Sequence, residues 1–272
     1  MHVAVWNTPP AEFFVSDLES SPTFGSVEVE RCAPQDSVDL LQRGLVDVAL
    51  VPTLVAFTNT DLLDVLPGAV LSTWAYPYAK LVLRKDLGQI RTLGFDPRHA
   101  QEAFIARIIL REHYGQEPVF IPVEQRKPDA LYQADEGAAL LVGDEVPLLE
   151  TGHLTLDLGQ EWYELVNYPM VWGLFATRKD EATPAMVEAL LAAIEAAEAN
   201  RFAWIRDQDV PPALQPFFSD DLRLRFDDLA TAGLTEFCQY LYFYNLTDEI
   251  PELPLYALPE DWHDGEERTP LL

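Results

Sequence analysis

The first half of the chain alternates short runs typical of strands with runs of helical spacing. Residues 27–32 alternate apolar and polar side chains with a period of two, which predicts a half-buried strand. Residues 47–51 place four apolar residues after an aspartate, as in a buried strand of a parallel sheet. A further strand is predicted over residues 1–6, with short helices between the strands. This order predicts an α/β fold.

A new α/β unit is predicted to begin near residue 91. Residues 91–95 indicate a strand and residues 100–113 a helix. Asp96 can cap that helix, and Pro97 suits its first position. Further strands are predicted over residues 69–74, 80–84, 119–122, 138–142 and 170–177.

The last third of the chain is predicted to be helical. Apolar residues recur at helical spacing from residue 183 onward, and the last helix is predicted over residues 228–244. We expect two lobes, one formed by residues 1–82 with residues 178–272 and the other by residues 83–177. Such a fold is expected to have a central cleft between its lobes, and clefts of this kind bind small ligands.

The chain is strongly acidic, with 45 Asp and Glu residues against 18 Lys and Arg residues and a formal net charge of −27. A surface of this sign repels nucleic acids and anionic membranes, so neither is expected as a partner. A halophilic source would explain this excess of acidic residues. At about 1 M salt the electrostatic screening length is roughly 3 Å, so repulsion between the acidic groups is weak. The alternative is an acidic, well-solvated surface without adaptation to salt.

The sequence favours a cytoplasmic protein that is a monomer or a homodimer. No apolar run reaches the roughly 18 residues that span a bilayer. Residues 1–6 are typical of a strand and not of an export signal. Cys32 and Cys238 lie far apart, which favours buried free thiols in a reducing compartment.

The common signatures of catalytic and cofactor sites are missing from the sequence. It contains no G-x-S-x-G, no Walker loop, no G-x-G-x-x-G and no H-E-x-x-H motif. The five histidines are scattered, and none stands at ligand spacing from a cysteine or another histidine. We therefore expect neither a metal ion nor an organic cofactor.

The turn after the first strand and an aromatic segment are two candidates for ligand contact. Trp6, Asn7 and Thr8 follow the first strand, and ligands of open α/β sheets bind at the carboxyl ends of strands. Tyr76 and Tyr78 lie in an aromatic segment that can form a wall for a ring-bearing acid. The alternatives are a rigid turn held by local hydrogen bonds and an aromatic surface that packs on a helix.

A helix start and a strand end are two further candidates. Arg98, His99 and Gln101 stand at the start of a predicted helix, where free backbone N–H groups and positive charge suit a carboxylate. Gly143 and Asp144 end a predicted strand, and a glycine there permits close approach to a ligand. The alternatives are side chains that point to solvent and a plain turn.

Five segments together resemble the chorismate dehydratase family of the futalosine route to menaquinone. They are residues 44–52, 90–96, 141–144, 156–162 and 168–176, and their order and spacing fit the family over most of the chain. The resemblance implies a two-lobed, periplasmic-binding-protein-like fold of the second type. It also implies a lyase that removes water from chorismate to give 3-enolpyruvyl-benzoate, without a metal or an organic cofactor.

The resemblance also implies roles for the candidate residues. Asn7 and Tyr78 would be catalytic, and a small aromatic or cyclic carboxylic acid would be the ligand. Arg98 and His99 would take its carboxylates. The substrate-binding residues would be Trp6, Thr8, Thr53, Tyr76, Arg98, His99, Gln101, Gly143, Asp144 and Trp172.

The chain departs from the family in the polar residues of this site. The functional asparagine of the family's first loop does not align with Asn7, which stands three places earlier. The family's hydroxyl-rich helix start is replaced by residues 97–101. Two alternatives therefore stay open: a non-catalytic binding protein for a small aromatic acid, and a futalosine-pathway enzyme with a different substrate.

Overall fold

The described part of the chain forms two compact units. The computed structural model describes residues 1–18, 27–123 and 137–259. Unit 1 comprises Met1–Ser72 and Val171–Leu272, and unit 2 comprises Thr73–Met170. Within the described ranges, no helix is long and apolar enough to cross a membrane.

Unit 1 contains a mixed sheet. Its described strands are β1 (His2–Trp6), β2 (Glu28–Cys32), β3 (Val48–Pro52), β4 (Leu63–Thr73), β10 (Met170–Arg178) and β11 (Leu222–Arg225). They lie in the order β11-β4-β10-β3-β1-β2. β1 pairs in parallel with β2 and β3, whereas β10 runs antiparallel to β3. The buried patterns of β3, β4 and β10 show that the centre of the sheet is covered on both faces.

The helices of unit 1 cover this sheet. They are α1 (Pro9–Leu18), α2 (Ser37–Gln42), α3 (Thr53–Thr58), α6 (Pro184–Asp207) and α7 (Asp228–Phe243). α1 packs against α6 around Phe13, which is fully buried. The Phe13 ring lies 5.2 Å from the Trp204 ring, edge to face, and the Arg201 guanidinium lies 4.8 Å above it. These contacts fix α1, and with it the turn that joins β1 to α1.

Unit 2 contains a second mixed sheet. Its described strands are β5 (Ala79–Leu83), β6 (Thr92–Phe95), β7 (Val119–Pro122), β8 (Ala138–Val142) and β9 (Leu154–Asp157), in the order β7-β6-β8-β5-β9. β6 pairs in parallel with β7 and β8, and β5 pairs antiparallel with β8 and β9. Its helices are α4 (Ala100–Ile108), which continues into a π-helical turn over Ile109–His113, and α5 (Leu158–Val166).

The alternation of strands and helices confirms the predicted α/β class and most of the elements. β7 and β8 have the predicted bounds, and the helix predicted over residues 100–113 is α4 with its π-helical turn. Four of these helices and strands were not predicted: α1, α5, β9 and β11. α1 was missed because its first two residues are prolines, which also favour turns, although proline is tolerated in the first turn of a helix.

The chain passes between the two compact units at earlier residues than predicted. The predicted lobe boundaries stood at residues 82 and 177. β5 pairs with β8 and β9, so it belongs to unit 2 and the first crossing falls at Ser72. β10 pairs with β3, so it belongs to unit 1 and the second crossing falls at Met170. Strand pairing therefore sets the boundaries, and the hydrophobic pattern of a single strand does not reveal its partner.

Candidate functional site

Three of the segments predicted to contact a ligand meet at one edge of the sheet in unit 2. β6 and β8 are parallel, so residues 96–102 and 143–144, which follow them, lie at the same edge. β5 is antiparallel to β8, so residues 76–78, which precede it, lie there too. The Gly143 N–H donates to the Tyr78 carbonyl at 2.9 Å. We call these three segments the unit 2 edge.

Tyr76 and Tyr78 form a buried aromatic pair at the unit 2 edge. They are 5% and 4% exposed, and their ring centroids lie 5.8 Å apart. Burial raises the pKa of the Tyr76 hydroxyl well above its usual value, and the negative charge of Glu102 adds to the shift. Burial, followed by the charge of Asp144, also raises the pKa of Tyr78. Both hydroxyls therefore stay protonated at neutral pH and can donate hydrogen bonds.

The backbone of Tyr76 is held by the start of α5. The Asp157 carboxylate caps α5 by accepting from the N–H groups of Gly159 at 2.9 Å and Gln160 at 3.0 Å. The same oxygen accepts from the Tyr76 N–H at 2.7 Å. A Cβ atom on Gly159 would lie 2.6 Å from the Tyr76 nitrogen and 2.7 Å from the Ala75 carbonyl carbon. Glycine is therefore required for this close approach.

A 3-10 turn over Pro97–His99 leads into α4 and is capped from within the chain. Pro97 stands at the first position of this turn, and Asp96 caps the turn, and not α4 itself, by accepting from the Arg98 N–H at 2.9 Å. Asp96 also accepts from Arg98 Nε at 3.1 Å and Arg98 Nη2 at 2.5 Å. Burial alone would raise the pKa of Asp96, but the hydrogen bonds and charge of Arg98 bring it below its usual value.

The Asp96 cap occupies the Arg98 N–H and part of its guanidinium, whereas no side chain caps α4 itself, which begins at Ala100. The Arg98 N–H is bonded to the Asp96 side chain, and the His99 N–H donates to the Asp96 carbonyl at 3.0 Å. The Arg98 side chain is still 49% exposed, so its guanidinium is accessible to a ligand. A substrate carboxylate would have to share that guanidinium with Asp96.

Glu102 brings a carboxyl group, only 15% exposed, to the unit 2 edge, and the sequence analysis did not single it out. Its Oε2 atom lies 4.0 Å from Nδ1 of His99. Burial raises the pKa of Glu102, although the positive charge of His99 and the backbone N–H of Glu102 itself oppose the shift. A carboxyl group of raised pKa beside an imidazole offers a proton donor and a proton acceptor together. The spacing of three residues on one helix face was the available sequence signal.

The remaining polar groups here include more acids than bases. Gln101 is 5% exposed, whereas Asp144 is exposed. Burial and the charge of Glu145 raise the pKa of Asp144. Lys80, half-buried on β5, donates to the Pro147 carbonyl at 3.4 Å, and burial lowers its pKa although Asp157 opposes that shift. The described surroundings of the tyrosine pair are therefore acidic on balance.

The turn after β1 in unit 1 presents side chains and few backbone donors. Trp6 is 3% exposed, and Asn7 is exposed. The first two residues of α1 are prolines without N–H groups, and the next two N–H groups donate to the Thr8 carbonyl at 3.0 Å each. Among the described residues, the Trp6 Nε1 and Thr8 Oγ1 atoms are buried without a hydrogen-bond partner. Such unpaired atoms are rare, and a ligand or water at this turn would satisfy them.

Two of the predicted binding residues have no surface to offer a ligand. Thr53 is fully buried, and its hydroxyl donates to the Val171 carbonyl at 2.7 Å. Trp172 is also fully buried, within β10. The structure therefore assigns both to the packing of unit 1, which corrects their predicted role in substrate binding.

The sequence profile of a family described as menaquinone biosynthesis matches residues 1–243. The chain belongs to the menaquinone biosynthesis family. Among functionally curated proteins, no significant sequence match was found. Membership of the menaquinone biosynthesis family agrees with the resemblance found in the sequence.

Solved structures similar to this family member have the periplasmic-binding-protein fold. Protein AF1704 from Archaeoglobus fulgidus is 18% identical with a TM-score of 0.65, and the match covers 90% of this chain and 98% of that one. The alkanesulfonate-binding protein SsuA from Xanthomonas axonopodis pv. citri, bound to MOPS, is 13% identical with a TM-score of 0.66, over 94% and 97% of the two chains. The Candida albicans CA3427 product, described as having the generic periplasmic binding protein fold, is 14% identical with a TM-score of 0.61, over 92% and 91%. These likenesses confirm the predicted fold.

The predicted site residues thus fall into separate groups. The unit 2 edge brings together Tyr76, Tyr78, Arg98, His99, Gln101, Gly143 and Asp144. Trp6, Asn7 and Thr8 form the turn after β1, in unit 1. The groups that sequence reasoning missed are Glu102 and Asp157, because their burial comes from residues distant in the sequence.

Proposed function

We propose that the chain is a hydro-lyase of menaquinone biosynthesis that removes water from chorismate to give 3-enolpyruvyl-benzoate. Membership of the menaquinone biosynthesis family supports the pathway. The observation that carries the reaction type is the pair formed by Glu102 and His99 at the unit 2 edge, with 4.0 Å between Oε2 and Nδ1. A largely buried acid beside an imidazole, next to two protonated tyrosines, suits acid–base catalysis better than passive binding.

Dehydration of a ring requires one proton donor and one proton acceptor. A C–H bond and a C–O bond break, a ring double bond forms, and the departing hydroxyl takes up a proton to leave as water. Glu102 in its protonated form, which burial favours, would donate to the leaving hydroxyl. The His99 imidazole would accept the ring proton, and the Tyr78 hydroxyl would donate a hydrogen bond to the negative charge that develops on the substrate. No step requires a metal or an organic cofactor.

Two cations of unit 2 are the candidates to bind the carboxylates of the substrate. Arg98 is half-exposed in the turn before α4, and Lys80 is half-buried on β5. An arginine presents a planar set of donors that matches a carboxylate. Asn7 stays a separate prediction, because its exposed amide stands in unit 1 with the unpaired Thr8 hydroxyl.

Conversion of chorismate tests the proposal. Purified protein in concentrated KCl is incubated with chorismate, and the products are followed by mass spectrometry. We expect loss of one water from the substrate. Glu102→Gln should lower turnover about 100-fold or more, in line with general acid catalysis. Glu117→Gln is the matched control, since Glu117 is 70% exposed and lies outside the unit 2 edge.

A second candidate is an enzyme of the same family with a substrate that carries fewer carboxylates. The observation that favours it is the pairing of Arg98 with Asp96 in surroundings that include Glu102 and Asp144. Such surroundings accept hydrogen bonds from hydroxyl groups, as a futalosine-derived intermediate would offer. A binding titration separates the candidates. If the chain binds chorismate weakly and converts the futalosine-derived intermediate, the second candidate is supported. If it binds chorismate tightly without converting it, a non-catalytic binding protein is supported.

A cytoplasmic location and a monomeric or homodimeric state also stay predictions. Cell fractionation tests the first, and light scattering of the purified chain tests the second. Free, buried thiols at Cys32 and Cys238 agree with a reducing compartment. Recovery of the chain in a periplasmic fraction would contradict the predicted location.

A further inference from the structure

A second group of polar side chains lies where α5 meets the π-helical turn that follows α4. His113 ends that turn, and Glu161 and Glu164 stand one helical turn apart on α5. One potential ligand atom from each residue lies within 4.8 Å of the others. The sequence analysis found no ligand spacing here because the histidine and the two glutamates belong to different elements.

Glu161 is the buried member of this group. It is 6% exposed, and its Oε2 accepts a hydrogen bond from the Tyr114 hydroxyl at 2.5 Å. Outer hydrogen bonds of this kind orient the carboxylate ligands of metal ions. Tyr114 also contacts His113, with ring centroids 4.7 Å apart and the rings edge to face. One tyrosine therefore positions both the carboxylate and the imidazole.

The exposed members can adjust to an ion. His113 and Glu164 are both exposed, and Gln160 Nε2 donates to Glu164 Oε1 at 3.1 Å. In a tetrahedral site with bonds of about 2.0–2.2 Å, neighbouring ligand atoms stand about 3.3 Å apart. Rotation of the exposed His113 and Glu164 side chains would bring the three ligand atoms to this spacing. A water molecule would complete the coordination from the exposed side of the group.

We propose that His113, Glu161 and Glu164 bind a divalent transition-metal ion of the zinc class. One imidazole nitrogen with two carboxylates is a ligand set that zinc accepts, whereas magnesium and calcium favour oxygen ligands alone. The net charge of −27 raises the local concentration of cations, and the histidine provides the selectivity. This site is independent of the reaction proposed above.

The ion would be structural, because it joins α5 to the π-helical turn. The first turn of α5 supports Tyr76 through the Asp157 cap and the close approach of Gly159. A metal bridge one turn further along α5 would fix the same helix. Loss of the ion is therefore expected to lower thermal stability before it affects any ligand.

Zinc titration of the chelator-treated, full-length chain tests this proposal. The buffer contains about 1 M KCl, which screens unspecific attraction to the acidic surface. We expect one saturable zinc ion per chain by calorimetry, and a zinc-dependent rise in the melting temperature. Cobalt in place of zinc should give the visible absorption of a four-coordinate site with nitrogen and oxygen ligands.

Variants identify the ligands. His113→Ala and Glu164→Gln, which change exposed side chains, should each weaken zinc affinity by about tenfold or more and abolish the zinc-dependent rise in melting temperature. His153→Ala is the matched control, because His153 is exposed in the loop before β9, and it should bind zinc as the parent does. Absence of saturable binding, or equal affinity in the parent and His113→Ala, would overturn the proposal.

Discussion

The Asp157 carboxylate accepts a hydrogen bond of 2.7 Å from the backbone N–H of Tyr76. That bond joins the start of α5 to the segment that carries the buried tyrosine pair. Burial raises the pKa of Asp157, although three backbone N–H groups and the Lys80 charge oppose the shift. The position of Tyr76 therefore depends on the close packing of α5.

Gly159→Ala tests this packing. The added Cβ would lie 2.6 Å from the Tyr76 nitrogen, so the backbone must shift. We expect the free energy of unfolding to fall by about 1–3 kcal/mol, even though alanine favours helix more than glycine does. Gly88→Ala is the control, because a Cβ there meets nothing within 4 Å and should change stability by less than about 1 kcal/mol. Equal stability of the two variants in chemical denaturation would contradict the packing argument.

The raised pKa of Glu102 predicts a pH-dependent contribution to stability. The folded chain binds this proton more tightly than the unfolded chain, in which the pKa of a glutamate is about 4.3. The contribution is therefore complete below that value and is lost as pH rises through the pKa of the folded state. Glu102→Gln mimics the protonated acid and should become more stable, relative to the parent, as pH rises.

Urea unfolding of the parent and the variant across this pH range measures the difference directly. Asp144, Asp157 and Glu161 also have raised pKa values, so the slope of the parent alone does not identify Glu102. Glu117→Gln removes the same charge from an exposed position and should leave the slope unchanged. If Glu102→Gln and Glu117→Gln follow the same curve, Glu102 does not titrate as a buried acid.

Thr53→Val separates packing from substrate binding. The substitution removes a buried hydroxyl that donates to the Val171 carbonyl at 2.7 Å. We expect a loss of about 1–3 kcal/mol in the free energy of unfolding, with substrate affinity unchanged. Thr58→Val, at an exposed position on the same helix, should cost less than about 1 kcal/mol. A fall in substrate affinity without a fall in stability would restore the predicted binding role of Thr53.

The net charge of −27 predicts that salt stabilises the fold. Repulsion between acidic groups weakens as the screening length falls from about 10 Å at 0.1 M salt to about 3 Å at 1 M. Thermal unfolding should therefore shift upward by several degrees when KCl is raised over this range. A neutral osmolyte at equal osmolality is the control for unspecific stabilisation. A melting temperature that does not respond to KCl would contradict adaptation to salt.

The sequence predicts the scaffold better than the chemistry. The hydrophobic period and the turn residues predicted the bounds of β7 and β8. They also predicted Asp96 as a cap, and in the structure it caps the 3-10 turn before α4. β11 was missed because Leu222–Arg225 is a four-residue strand within a region of helical pattern. Strand pairing, which brings residues 76–78 beside residues 143–144, is not encoded in any local pattern.

The chemistry of the unit 2 edge depends on burial, which a local pattern does not contain. Glu102 has the i, i+3 spacing to His99 of many surface pairs, and only the tertiary structure shows that its carboxyl group is buried. Arg98 was predicted to bind a carboxylate of the ligand, and only the structure shows that Asp96, two residues away, already shares its guanidinium. Thr53 was predicted to contact a ligand, and β10 covers it.

The measurement that tests the central claim most directly is mass spectrometry of chorismate after incubation with the parent chain, Glu102→Gln and Glu117→Gln in concentrated KCl. The account predicts that the parent and Glu117→Gln convert chorismate to a product lighter by one water, and that Glu102→Gln converts it about 100-fold more slowly. Chorismate that remains intact with the folded parent chain would contradict the account.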